Sequence, residues 1–334
     1  MKGEGEGAAW QSAVFDIDCH STRKIRFCGR FSHRFFVGMI GNEVLVLSRQ
    51  AAPGQCRQAV EWAIEAGYRH IDTASSYNNE VEVGEGINNK INDGTVERRD
   101  LFVTTKLWND AHAPAAVVPA LQESLRRLQL DYVDLFLVHW PFSVKAASAT
   151  FSKNDDAGID YTETWTGMQQ ARALGLARSI GVSNFNEHQV QRLAQTDCRP
   201  VVNQVEINPT NTQHRLVNAC LQSSVVPVAY TPLGLLSDAR PEFEGKSNIK
   251  TDEKLRAVAE KYGKTVEQVA LRYLIQRGIP VIPKSYTKAR IVQNLQIFDF
   301  ALTESEMALV DGFNIDHRCV PAAGFKHLTN YPFV

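Results

Sequence analysis

At 334 residues with 44% hydrophobic content, the chain has room for one large domain or two ordinary ones and enough apolar side chain to fill a core. A formal net charge of −1 gives no sign of a nucleic-acid partner or of an acidic surface as partner. The six cysteines (Cys19, Cys28, Cys56, Cys198, Cys220 and Cys319) lack CxxC spacing, which argues against a disulfide scaffold and a zinc site and makes a reducing compartment the expectation.

The start, MKGEGEGAAW, lacks the charged-then-apolar order of a secretion signal, and no apolar run approaches the ~18 residues of a spanning helix, so no membrane partner is expected. TRKIRFCGRFSHRFF interleaves Arg23, Lys24, Arg26, Arg30 and Arg34 with Phe27, Phe31, Phe35 and Phe36. That pattern suits an anionic partner or a targeting segment, but Glu4, Glu6, Asp16 and Asp18 count against a transit peptide. Residues 1–40 are therefore read as an irregular extension ahead of a domain over 41–334. EVLVLS (43–48) is the candidate for a first strand.

From about Gln55 onward, short apolar runs alternate with amphipathic stretches. The strand candidates are RHIDTA (69–74), LFVTTKL (101–107), VDLFLVHW (133–140), RSIGVSNF (178–185), VVNQVEI (201–207), VPVAYTPL (226–233) and IPVIPKS (279–285). Several are almost continuously apolar, as strands covered on both faces are. Between them the period turns helical. QCRQAVEWAIEAG sets Cys56, Val60, Ala63 and Ile64 on one face and stops at Gly67. VVPALQESLRRLQ does the same with Val118, Leu121, Leu125 and Leu128, with Pro119 placed in a first turn. DEKLRAVAEKYG aligns Leu255, Val258, Ala259 and Tyr262, and TVEQVALRYLIQRG opens with Thr265 and Gln268 at capping-box spacing.

Seven such units, plus one poorly marked at the start, predict an α/β fold of the parallel (β/α)₈ TIM-barrel type with a divergent N-terminal region. An open doubly wound sheet would carry a Gly-rich turn after its first strand, and no GxGxxG occurs.

Polar residues interrupt the apolar runs at or just past the strands' C-terminal ends: Asp72, Lys106, His139, Ser183 with Asn184, Gln204, Tyr230, and Lys284 with Ser285. In a parallel barrel those ends converge on one rim, where barrel active sites form. Singly, Asp72 fits a helix cap, Lys106 a snorkelling side chain and His139 a hydrogen-bonded core histidine. So many polar groups on one rim is hard to assign to stability alone.

Three separate stretches, GYRHIDTASSYNNEVEVG, ARSIGVSNF and IPKSYTKARIVQN, resemble the motifs of the aldo-keto reductase superfamily, and the likeness runs from about Gln55 to the closing NYPF. The resemblance implies a (β/α)₈ barrel, NADPH/NADP+ bound without a Rossmann motif, and reduction of a small-molecule aldehyde or ketone to the alcohol. It also implies a cytoplasmic monomer. Carried over by position, the catalytic four fall on Asp72, Tyr77, Lys106 and His139. Tyr77 is then the proton donor, Lys106 its charged neighbour, Asp72 the anchor of Lys106, and His139 a hydrogen-bond donor to the substrate oxygen. A phenol ionises near pKa ~10. A unit charge ~4 Å away at a dielectric of ~20 is worth about 4 kcal/mol, so Lys106 is expected to lower Tyr77 by up to about three in pKa before other terms intervene.

By the same resemblance Ser183, Asn184 and Gln204 hold the nicotinamide carboxamide, Tyr230 stacks on its ring, and the backbone around Thr231 and Leu233 leads into GLLSDARPEFEGKSNIK, which in relatives covers the pyrophosphate. Leu235 stands where relatives often have serine, and Gln293, grouped with Asn294 at the adenine, stands where glutamate is more usual. KSYTKARIVQN has a logic of its own. Thr287 at a helix N-terminus, with Lys284, Ser285 and Arg290 near it, suits a phosphate monoester and favours NADPH over NADH.

Trp108, Trp140 and Phe142 suggest an apolar mouth near His139, fit for an aliphatic or aromatic aldehyde or a steroid ketone. Upstream of Gln55 the family's Gly-rich first strand has no match, Gly38 and Gly41 standing without the companion threonine and tryptophan. The alternative is thus a catalytically impaired relative that binds cofactor or serves a structural role. A metal-dependent hydrolase is not supported, because His70 and His139 are isolated.

Overall fold

The computed structural model describes residues 44–46, 52–145, 155–237 and 247–333. The basic-aromatic segment, the extension 1–40, residues 146–154 after the fourth strand and residues 238–246 of the loop after Gly234 lie outside the described residues. The chain separates into Met1–Phe31 and Ser32–Val334, and every described residue belongs to the second unit.

Eight strands line up in chain order: β1 (Val44–Val46), β2 (His70–Asp72), β3 (Phe102–Leu107), β4 (Val133–Val138), β5 (Ala177–Ser183), β6 (Val202–Glu206), β7 (Val226–Tyr230) and β8 (Val281–Ile282). Each pairs in parallel with the next, and β1 lies against β8, so the sheet curls into a (β/α)₈ barrel. EVLVLS thus supplies the first strand through its central residues. The helices between them are α1 (Gln55–Ala66), α2 (Glu80–Asn92), α3 (Pro114–Leu128), α4 (Tyr161–Ala173), α5 (Glu187–Ala194), α6 (His214–Gln222), α7 (Glu253–Lys261) and α8 (Val266–Gln276), and α9 (Lys288–Leu295) and α10 (Glu304–Asp311) follow β8. No helix among the described residues is long and apolar enough to cross a membrane.

Period-2 alternation divides the strand side chains into two cores. Ile71, Val103, Phe136, Val138, Ile180, Val182, Val205 and Ala229 face outward into the layer beneath the helices. Leu135, Leu137, Val202, Val226, Val228 and Ile282 fill the barrel interior. Gly181 is required at that interior: a Cβ there would lie 2.8 Å from Leu137 Cδ2 and 2.9 Å from the Val202 carbonyl. The same alternation turns Asp72, Lys106, Ser183, Gln204 and Tyr230 inward at the strands' C-terminal ends.

The helices obey their caps. Gly67 adopts φ 112° and closes α1, while Glu82 of α2 accepts the Gly54, Cys56 and Arg57 amides that α1 leaves unpaired. Thr265 and Gln268 form the capping box expected of α8. One helix expectation and one strand expectation need correction. α3 begins at Pro114 rather than near Val117, so Pro119 sits inside it, and the earlier start turns Val117 rather than Val118 fully into the core. The strands also end before their apolar runs do: β8 spans two residues of the seven proposed, because Pro283 has no N–H for a ladder.

Candidate active site

The loop after β2 is built to hold a tyrosine still. Ser75–Tyr77 form one turn of 3-10 helix, closed by Asn78 in the left-handed region at φ 57°. Ser75 Oγ donates to the Lys106 carbonyl at 3.0 Å, and Thr73 Oγ1 donates to Asn79 Oδ1 at 2.7 Å. The turn is therefore tied to β3 on one side and to its own base on the other.

Asp72 and Lys106, on neighbouring strands, are fully buried and hydrogen-bonded through Asp72 Oδ1. Lys106 Nζ also donates to the Thr73 carbonyl at 2.9 Å, and Gln204 Nε2 donates to Asp72 Oδ2 at 2.7 Å. Each partner of the buried pair thus has a second bond, as buried charges need. The ammonium lies 5.1 Å from the centre of the Tyr77 ring. Burial opposes the charge on Lys106, but attraction and hydrogen bonding from Asp72 and Tyr77 outweigh it and hold its pKa above the ordinary value.

Tyr77 departs from expectation. Burial pushes the phenol up; the Lys106 charge pulls it down, Asp72 adds to the rise, and the balance is upward. Charge alone predicts the opposite sign, and the difference is the low-polarity setting of the ring.

His139 follows β4, its N–H donating to the Leu107 carbonyl at 3.1 Å. Its ring meets Tyr77 edge-on at 5.6 Å and Trp108 at 5.2 Å, and its Nδ1 is 3.4 Å from Ser76 Oγ. Burial, with help from Lys106 and His112, drops its pKa well below the usual value, so the imidazole is neutral and one nitrogen can donate. Ser76, Tyr77, Trp108, His139 and Trp140 line a cleft of about 240 Å³. Ser76 was not singled out from the sequence; its place next to Tyr77 was the one signal there, and the turn that aims it at the cleft is visible only in the structure.

The next group of polar residues is stitched together. Asn184, at φ 64°, donates through Nδ2 to the His139 carbonyl at 2.9 Å and accepts the Tyr230 hydroxyl at 2.7 Å. Ser183 Oγ donates to the Gln204 carbonyl at 2.7 Å. Further round, Thr231 takes φ 49° and its carbonyl accepts the Gly234 amide at 3.0 Å, while Leu233 is half-buried. At the far side Lys284, Thr287 and Arg290 are exposed around the start of α9, Ser285 and Asn294 are buried, and Gln293 is half-buried with its carbonyl accepting from Gln268 Nε2 at 2.9 Å. Thr287 is the N-cap residue, but its hydroxyl makes no capping bond; instead Ser285 Oγ takes the Thr287 amide at 3.1 Å. Among the described residues no cluster of three or more His, Cys, Asp or Glu could hold a metal.

A family model described as "Aldo/keto reductase family" matches residues 43–315. The aldo-keto reductase AKR2E4 of Bombyx mori is 52% identical over 281 residues, covering 83% of this chain and 88% of that protein. Human aldo-keto reductase family 1 member C2 is 43% identical over 284 residues, with coverage of 83% and 88%. Among solved structures, Bombyx mori AKR2E4 in complex with NADP superposes with a TM-score of 0.82 at 49% identity, covering 87% of this chain and 94% of that one. A complex of AKR2E5 with NADPH gives a TM-score of 0.82 at 40% identity, covering 87% and 89%. Sequence motifs, barrel and relatives converge, and the chain belongs to the aldo/keto reductase family.

Proposed function

We propose that this chain, through a barrel domain over 41–334, reduces an aldehyde or ketone to the alcohol with NADPH, and that Tyr77 delivers the proton. The observation that carries the reading is the Asp72–Lys106 pair beside Tyr77: a fully buried ammonium, fixed by a carboxylate and a carbonyl, 5.1 Å from a phenol ring that borders an open cleft.

The residues fit the cofactor that accompanies the structural relatives. When bound, the nicotinamide supplies the hydride. A carboxamide needs one donor and one acceptor; Gln204 offers both, a second Nε2 hydrogen beyond the one given to Asp72 and its Oε1 as acceptor. Tyr230, held by Asn184, presents a ring for stacking. Arg290 in the first turn of α9, with Lys284 and Ser285 just ahead of the helix, forms a donor set suited to a phosphate monoester. Thr231 and Leu233 would lead the backbone along the pyrophosphate, and Gln293 and Asn294 would meet the adenine.

The chain's own part is proton chemistry and aim. Tyr77 stays protonated through neutral pH because burial raises it, so the acid form is always ready. As a carbonyl oxygen gains negative charge it becomes the stronger base, and the Tyr77 O–H bond breaks toward it. Lys106 stabilises the phenolate left behind; Asp72 keeps Lys106 charged and aimed. Neutral His139 offers an N–H to the same oxygen. Trp108 and Trp140 wall the cleft with apolar surface that suits a hydrophobic aldehyde or ketone.

NADPH oxidation followed at neutral pH with para-nitrobenzaldehyde tests the reading directly. Turnover supports it; NADPH binding without turnover of this or any carbonyl would assign the chain to a non-catalytic role.

A further inference from the structure

β6 ends in a second carboxylate that the reaction does not use. Glu206 faces the same side of the strand as Gln204, and its side chain is completely buried. Its two oxygens accept backbone amides from far along the chain: Cys319 N–H at 2.7 Å on Oε1 and Val320 N–H at 2.8 Å on Oε2. Asn208 Nδ2 lies 3.4 Å from Oε1. The loop after β6 continues the seam, the Thr210 carbonyl accepting Ile315 N–H at 3.3 Å and His317 N–H at 3.0 Å, and Asn314 Oδ1 accepting Thr212 N–H at 3.0 Å.

The tail is also fastened beyond its middle. Asp156 Oδ2 accepts Thr329 N–H at 2.7 Å, while Gln189 and Asn186 donate to the Asn330 and Pro332 carbonyls at 2.9 and 3.1 Å. Between these two fastenings the tail contributes Val320, Phe325 and Leu328 to an apolar cluster with Trp108, Trp140 and Phe142, and Phe333 meets Trp140 edge-on at 5.8 Å. Trp108 and Trp140 are walls of the cleft. Val320 therefore has its amide in the Glu206 seam and its side chain against the apolar cluster that backs the cleft wall.

We propose that Glu206 is a positioning residue for substrate selection. Its carboxylate clasps the C-terminal tail and thereby fixes the apolar wall that decides which carbonyl compounds fit. The proposal deepens the carbonyl-reductase reading and rests on it. A carboxylate is the right group because it offers two acceptors with full negative charge to two amides at once, and bonds to an ionised acceptor are the stronger kind. No lysine or arginine is needed in the clasp, so the tail's side chains stay available for the wall.

Glu206→Gln keeps the volume but turns one acceptor into a donor that faces an amide N–H. Two measurements read the result. Hydrogen exchange should show faster exchange at Cys319 and Val320, by about tenfold or more, with the barrel strands unchanged. Steady-state kinetics should show the kcat/KM ratio of phenanthrenequinone, a three-ring dicarbonyl, to para-nitrobenzaldehyde changing by at least about fivefold through the KM of the quinone. NADPH affinity by fluorescence should hold, and Glu206→Asp should restore part of the protection and of the ratio. A purely structural role would lower kcat for both substrates by one factor and leave the ratio alone; that result overturns the proposal, as does unchanged exchange at the two amides. If the wild-type protein turns over neither compound, the reductase reading fails and substrate selection with it, while the exchange data still decide whether the clasp exists.

Discussion

Replacing Lys106 with methionine removes the ammonium while keeping much of the buried stem. The charge stands 5.1 Å from the Tyr77 ring centre. At an effective dielectric of ~20, a unit charge at ~5 Å is worth about 3 kcal/mol, or on the order of a hundredfold in stabilising a phenolate. The single variant also leaves Asp72 without its cation, and a buried carboxylate stripped of its partner costs about 3–5 kcal/mol of stability. The clean comparison is therefore Lys106→Met with Asp72→Asn, which removes both charges together. Stopped-flow reduction of para-nitrobenzaldehyde at neutral pH should show the chemical step slowed by about ten- to a hundredfold in the double variant, with a larger solvent deuterium effect as proton transfer becomes limiting. NADPH affinity should change little. A chemical step within about threefold of wild type, in a protein that melts normally, would refute the assignment of Lys106 as the group that stabilises the phenolate.

Arg290→Ala should weaken NADPH by about tenfold or more and NADH by much less, since the side chain is placed for a phosphate monoester; equal losses by fluorescence titration would end the phosphate-pocket reading. Stability should fall with acid from an early point. His70 and His112 are held neutral by burial at pKa values of about 3, so the unfolded chain binds more protons below its ordinary histidine value near 6.5. Their stabilisation is complete above that value and is lost as pH falls toward 3, by about 2 kcal/mol per histidine at pH 5. Urea midpoints at pH 7 and pH 5 measure this, and His112→Asn should remove its share of the slope; an unchanged slope would contradict neutral burial of that ring.

The barrel was legible because several strands, β4 and β7 above all, are almost continuously apolar, which marks strands covered on both sides. The strand ends were less so. β8 keeps two residues because Pro283 cannot extend the ladder, and α3 was placed late because Pro119 suggested a first turn whereas the helix tolerates it in the interior. The rim residues could be read from where polarity broke each run, but their mutual bonds could not: that Asn184 ties His139 to Tyr230 depends on a left-handed backbone at Asn184 that no spacing reveals. For Tyr77 the sequence supplied the neighbouring cation but not the burial, and burial set the sign of its shift. Glu206 was overlooked although a signal was available, since strand alternation puts it on the face of Gln204 and a carboxylate in an apolar strand asks for a partner.

The most direct test of the account is Tyr77→Phe, which removes one hydroxyl from the cleft. It should keep NADPH affinity within about threefold and lower aldehyde turnover by about 10²–10⁴-fold, the range expected for loss of a general acid. Turnover at the wild-type level, or loss of cofactor binding and turnover in equal measure, would take the proton-donor role away from Tyr77.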